Sequence, residues 1–167
     1  MRAVPYCAAL AALAVITACA TPPDRGQAGR AGGPVNLSVT EAPDPAPLEG
    51  YDIPRGRCGM ILWTKAGSRI APIFRSLDVT EATMQVEGKP VGLVLDSQSG
   101  DLALGMRSEQ VFKGFDGDGQ PLSVEARLDW GDGFPGGLYV RGGTLTVNGA
   151  DGWSRILPVA GIAGCKA

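Results

Sequence analysis

Histidine is absent from the 167 residues of this chain. Without histidine, a Ser-His-Asp or Cys-His catalytic arrangement cannot form, and the commonest general base and metal ligand is missing. No glycine-rich phosphate loop precedes a helix, and no Ser-x-x-Lys motif occurs, so nucleotide-binding and penicillin-binding enzymes lack their signatures here. We therefore predict a protein that is not an enzyme and carries no cofactor.

Clustered positive charge is also lacking. The formal net charge is -2 and the pI is about 5.1, which disfavours nucleic acid as a partner because nucleic-acid binding needs a basic surface. The 25 glycines and 13 prolines are many for a helical protein. The chain length suits one compact domain.

The first residues have the features of a bacterial export signal. Arg2 supplies the positive start, residues 8–16 form an apolar run too short to span a bilayer, and small residues lead to Cys19. The stretch Leu13-Ala14-Val15-Ile16-Thr17-Ala18-Cys19 resembles the lipobox of bacterial lipoproteins, with an aliphatic residue three positions before an invariant cysteine. The alternative is an ordinary secretory signal in which Cys19 is incidental.

The lipobox resemblance implies a signal peptide at residues 1–18 and a lipid, including palmitate, on Cys19. Ala20 follows the cysteine where enterobacterial lipoproteins of the inner membrane have Asp. This implies anchoring in the outer membrane, with the protein facing the periplasm. Residues 19–50 are rich in proline and glycine without a sustained period, so we predict a disordered tether there and a folded domain over residues 51–167.

Two further cysteines bracket the predicted domain. Cys58 and Cys165 form an even pair in an oxidising compartment, which favours a disulfide over two buried free thiols. A first strand near residues 60–63 and a last strand near residues 156–160 would then be neighbours, as in a sheet that closes on itself.

The remaining pattern predicts an all-β domain, a small antiparallel barrel or sandwich of about eight strands. Apolar and polar residues alternate over residues 122–130, and Glu87-Gly88 suits a two-residue turn that sets Met84 opposite Val91. Residues 138–140 and 144–147 are predicted to form a hairpin around Gly142-Gly143. Residues 108–111 could form a single helical turn.

Acidic and aromatic residues give weaker indications of a site. Residues 116–119 resemble the opening of a calcium loop, but the later ligands are missing, so we predict a plain turn there and no metal site. Residues 129–133 also have the composition of a turn. Trp63, Trp130 and Trp153 fall at strand positions, where core packing is favoured over ligand stacking.

Ser99-Gly100 and Lys113-Gly114 lie fourteen positions apart, after the predicted strand at residues 91–95. This pair resembles the core motif of the membrane-bound inhibitors of c-type lysozyme, which are lipoproteins with a small β-barrel and a disulfide joining its first segment to its C-terminal end. The resemblance implies that Ser99 and Lys113 bind the catalytic carboxylates of lysozyme. The chain has Ala103 and Val111 where the family has tyrosine and tryptophan. The alternative is that Ser99 lies in a turn and Lys113 is a solvated surface charge.

The sequence thus leaves two hypotheses about function. One is a structural or protein-binding lipoprotein with an unknown envelope partner. The other is an inhibitor of c-type lysozyme.

Overall fold

The computed structural model describes residues 41–167, and these residues form antiparallel strands without a helix. The strands are β1 (Pro45–Ala46), β2 (Cys58–Ala66), β3 (Arg69–Leu77), β4 (Glu81–Val86), β5 (Lys89–Ala103), β6 (Met106–Phe115), β7 (Pro121–Phe134), β8 (Gly137–Asn148) and β9 (Ser154–Cys165). Cys19, the predicted signal peptide and residues 20–40 of the predicted tether lie outside the described residues. Within residues 41–167, no helix exists that could cross a membrane.

Strands β2 to β9 form a closed barrel of eight strands. Each strand pairs with the next one along the chain, and β2 pairs with β9 to close the ring. This confirms the all-β antiparallel barrel. The turns lie at two ends, which we call the near end and the far end. The near end carries the turns at residues 67–68, 87–88, 116–120 and 149–153, and the far end carries those at residues 78–80, 104–105 and 135–136.

The interior of the barrel is filled by apolar side chains. Successive residues of a strand point to opposite faces of the sheet, so alternate positions of each strand enter the core. In β7, the buried positions are Leu122, Val124, Ala126 and Leu128, as the alternating sequence predicted. Phe74 and Phe112 meet across the interior with ring centroids 5.4 Å apart in an edge-to-face arrangement.

The turn at Glu87-Gly88 is confirmed. Both residues have positive φ, 53° and 74°, which is the backbone of a type I′ turn, and Met84 pairs with Val91. By contrast, the hairpin predicted around Gly142-Gly143 is wrong, because both glycines continue inside the single strand β8. Residues 129–133 and 108–111 likewise belong to strands β7 and β6, not to a turn and a helical turn.

A disulfide joins Cys58 to Cys165, as predicted. The two residues are register partners at the far end of the β2–β9 pairing, which closes the barrel. The first and last strands of the barrel are therefore neighbours in space and are also covalently linked.

The segment before β2 packs on the barrel. Pro45 and Ala46 pair with the near end of β4, and the Leu48 N–H donates to the carbonyl of Pro72 on β3 at 2.7 Å. Leu48 is buried. Residues 42–48 fall inside the stretch predicted as tether, but the structure includes them in the fold. Proline is compatible with a strand that pairs on one side only, and β1 pairs only with β4.

Candidate functional site

The outer face of β9 differs in chemistry from that of β7. Its outward residues include Ile156, Pro158, Ala160 and Ile162, so β9 is apolar on both faces from Ile156 to Ala163. The outward positions of β7 are polar instead, namely Ser123, Glu125, Arg127 and Asp129. Ile156 remains 65% exposed. A strand segment whose outward residues are all apolar is a candidate surface for a partner.

A depression lies across β9 at the level of Trp63. Trp63 pairs with Ala160 on one side of β9, and Arg141-Gly142 lies opposite the same residue on the other side. The backbones of β2 and β8 are about 9 to 10 Å apart, two strand spacings. Because Ala160 is small, the side chains of Trp63 and Arg141 form walls on either side of a low floor. The depression has a volume of about 350 Å³.

Irregular pairing builds this depression. Arg141 and Gly142 are two residues opposite the single residue Ala160, which is a bulge, and the exposed Arg141, which follows the buried Val140, lies on the outer face. On the neighbouring strand, Gly131 carries no side chain, and a Cβ there would lie 3.2 Å from the Tyr139 carbonyl oxygen and 3.3 Å from the Arg141 Cβ. Asp132 and the half-exposed Tyr139 complete the wall.

A second depression adjoins the first, and Trp63 lines both. Its other walls include Lys65, Ile70 and Pro158, and its volume is also about 350 Å³. Ile70 is 73% exposed. The Thr64 hydroxyl donates to the Pro158 carbonyl at 2.6 Å, but no ladder pair joins β2 to β9 beyond Trp63 and Ala160. We call the two depressions together the β9 groove.

Positive charge without a partner surrounds the β9 groove. Most cationic side chains of the described residues contact a carboxylate or a carbonyl. Lys89, for example, forms an ion pair with Asp118, and the hydrogen bond and the negative charge of Asp118 raise the pKa of Lys89. Among residues 41–167, four cations have neither an ion pair nor a side-chain hydrogen bond, and these are Arg55, Lys65, Arg69 and Arg141. Lys65 and Arg141 line the groove, and Arg69 lies opposite Ala66 at the end of the same β2–β3 hairpin.

Ser99 and Lys113 lie elsewhere, on the outer face of the β5–β6 hairpin. Ser99 pairs with Glu109 and Lys113 with Val94, so the two positions are four residues apart along β6, about 13 Å. The Ser99 hydroxyl donates to the Glu109 carboxylate at 2.5 Å, and the Lys113 ammonium lies 2.9 Å from the Asp96 carboxylate. They share a face, but they do not converge at one rim, and each already has a carboxylate partner.

The three tryptophans have different surroundings. Trp130 packs against the core and its indole N–H donates to the Asp101 carbonyl at 3.1 Å, which confirms the predicted core role for this residue. Trp153 is exposed, and Trp63 lines the groove, so core packing was the wrong expectation for these two. The sequence signal that was missed is the apolar outward series of β9.

No site for a metal ion is apparent among residues 41–167, where no three potential ligands come together. Residues 116–119 form a turn in which the Asp116 carboxylate accepts hydrogen bonds from the N–H groups of Asp118 and Gln120.

Comparisons of the chain with family models, curated proteins and solved structures gave no match.

Proposed function

We propose that this protein is a bacterial lipoprotein, held in the outer membrane by lipid on Cys19, whose barrel binds another envelope protein in the periplasm without catalysis. The β9 groove carries the binding part of the proposal. It places Trp63 of β2 and Tyr139 and the unpaired Arg141 of β8 on either side of the apolar strand β9, and tryptophan, tyrosine and arginine are the residues that contribute most to protein–protein binding.

The sequence supports the anchoring part of the proposal. The stretch from Leu13 to Cys19 resembles a lipobox, and Ala20 stands where an inner-membrane lipoprotein would carry Asp. An envelope lipoprotein would also reside in an oxidising compartment, where a disulfide such as Cys58–Cys165 is stable.

Crosslinking in living cells tests the partner-binding role. The wild-type protein should yield a defined crosslinked envelope protein, and Trp63→Ser should reduce its recovery at least about tenfold, as expected for loss of a binding hot spot. Phe115→Ser is the matched control, because Phe115 is an exposed aromatic residue away from the groove. Equal recovery with all three proteins would contradict the proposal.

Inhibition of c-type lysozyme is the second candidate function. It is favoured by the shared outer face of Ser99 and Lys113 on one hairpin, although each must leave its own carboxylate partner to bind lysozyme. The purified protein should then inhibit lysozyme in a cell-wall lysis assay, and Ser99→Ala combined with Lys113→Ala should abolish the inhibition. A wild-type protein that leaves lysozyme fully active would eliminate this candidate.

A further inference from the structure

The near end of β9 has an unpaired backbone edge. The Pro158 carbonyl accepts from Thr64 and so faces β2. Main-chain groups alternate in direction along a strand, so those of Ile156 face the same side two residues earlier. The β2–β9 pairing has ended by then, because Pro158 has no N–H to continue it. The N–H and C=O of Ile156 therefore face the β2 side of β9, two residues before Pro158, which lines the β9 groove.

Before Pro158, this edge carries no bulge and no outward-facing charge, and Pro158 limits backbone pairing to the residues that precede it. The far part of β5 is also an edge, but two register shifts interrupt it, at residues 95–97 and 99–102, and it carries Asp96 and Asp101. Bulges and charges of this kind keep other chains away. From Ser154 to Val159, β9 keeps a continuous register with β8, and its outward residue there is an exposed isoleucine.

The barrel already accepts an added strand at the same end. β4 extends beyond its last β3 pair, Phe74–Met84, and there β1 pairs with Gln85 and Val86. The Leu48 N–H completes the contact by donating to β3. An extended segment can therefore pair with a barrel strand where the ladder to its neighbour has ended, and the ladder between β2 and β9 has also ended before it reaches Ile156.

The charges beside the opening select an acidic occupant. Lys65 and Arg141 are the unpaired cations that line the groove, and Asp132 is the one carboxylate that lines it. An arginine side chain binds a carboxylate through two parallel hydrogen bonds, which gives the occupant a fixed position. Ile70 and Pro158 offer an apolar surface between these charges.

We propose that the β9 groove binds an extended, acidic segment of another protein by strand addition, with the segment's backbone pairing to Ile156 and its carboxylates bound by Lys65 and Arg141. This inference rests on the proposed function, since it assumes that the groove is where a protein partner binds. It adds the binding mode and the chemistry of the bound segment.

Peptide display tests the inference. The full-length protein in detergent is used to select binders from random peptides of about ten residues, which is the length of a strand. We expect enriched peptides with alternating apolar and acidic residues. Their affinity should fall at least about tenfold in Ile156→Pro, which removes one N–H from the edge. Ile156→Thr is the control: it keeps the N–H and the β propensity and should bind within about threefold of wild type.

Three results would overturn the inference. One is enrichment of peptides without acidic residues, or of none. The second is equal loss of binding in Ile156→Pro and Ile156→Thr, since the isoleucine side chain and not the edge would then be responsible. The third is that the Cys19→Ser protein, which cannot carry the lipid, binds phosphatidylglycerol vesicles and loses this binding when Lys65 and Arg141 are replaced. That result would assign the groove to a lipid surface. If crosslinking in cells still requires Trp63 while Ile156→Pro has no effect, the proposed function stands and strand addition fails.

Discussion

Arg155 links the N-terminal segment to the barrel. It lies on β9 opposite the buried Val147, so its side chain enters the near end of the barrel. Its guanidinium donates to the carbonyls of Pro43 at 3.0 Å and Ala42 at 3.3 Å and lies 3.6 Å from the Asp44 carboxylate. One side chain thus binds three successive residues of the segment, in addition to the backbone pairing of β1 with β4.

We expect Arg155→Ala to release this segment. The free energy of unfolding should fall by about 1 to 3 kcal/mol, the usual range for lost hydrogen bonds of a charged group. Urea unfolding measures this loss, and limited proteolysis should show new cleavage near residue 42. Arg127→Ala is the control, because Arg127 is an exposed residue whose ion pair with Glu125 is screened by solvent. Equal effects of the two substitutions would show that Arg155 has no special role.

Cys19 is the residue on which the proposed location depends. Growth with labelled palmitate should label the wild-type protein, whereas Cys19→Ser should carry no label and should leave the membrane fraction. Cys7→Ser should behave as wild type, since Cys7 lies within the predicted signal peptide. A protein that is exported and cleaved but never labelled would instead indicate an ordinary secretory signal.

At the scale of the strand, Gly142 and Gly143 show how a local signal can mislead. A glycine pair between two apolar runs is typical of a turn, yet here it lies within β8. Gly143 faces β7, and a Cβ there would clash with the Arg127 carbonyl and lie 3.0 Å from the Leu128 Cα, whereas a Cβ at Gly142 meets nothing within 4 Å. The pair therefore permits close approach of two strands and a bulge, and not a reversal of the chain.

These two glycines give a matched test. Gly143→Ala should lower the free energy of unfolding by about 1 to 3 kcal/mol, because backbone atoms must move to admit the methyl group. Gly142→Ala should change it by less than about 0.5 kcal/mol. Thermal unfolding of the two variants measures the difference. A Gly143→Ala variant as stable as wild type would refute the close approach.

The hairpin at residues 81–94 could be predicted and the β9 groove could not, for a physical reason. The hairpin depends on neighbours in sequence, namely a turn that favours positive φ and an alternation that continues through it. The groove depends on register between strands from opposite ends of the domain, which puts Trp63 beside Ala160 and Arg141. The sequence shows the apolar series of β9, but it does not show which residues will stand next to it.

At the scale of the whole molecule, the Cys58–Cys165 disulfide closes a loop that contains all eight barrel strands. Cys58→Ala combined with Cys165→Ala should lower the free energy of unfolding by about 4 to 5 kcal/mol in the chain-entropy model, which depends on loop length. Reduced wild-type protein should match the double variant in urea unfolding. An unchanged urea midpoint would show that the bond adds nothing to the closed β2–β9 pairing.

The position of this bond also determines how a protease could act on the protein. A single cut anywhere between Cys58 and Cys165 leaves both pieces joined through sulfur, so the barrel strands stay together. A cut between Cys19 and Cys58 lies outside that loop and would separate the intact barrel from a lipid on Cys19. A single cut that releases a folded barrel into the periplasm must therefore fall within residues 20–57, before the first barrel strand.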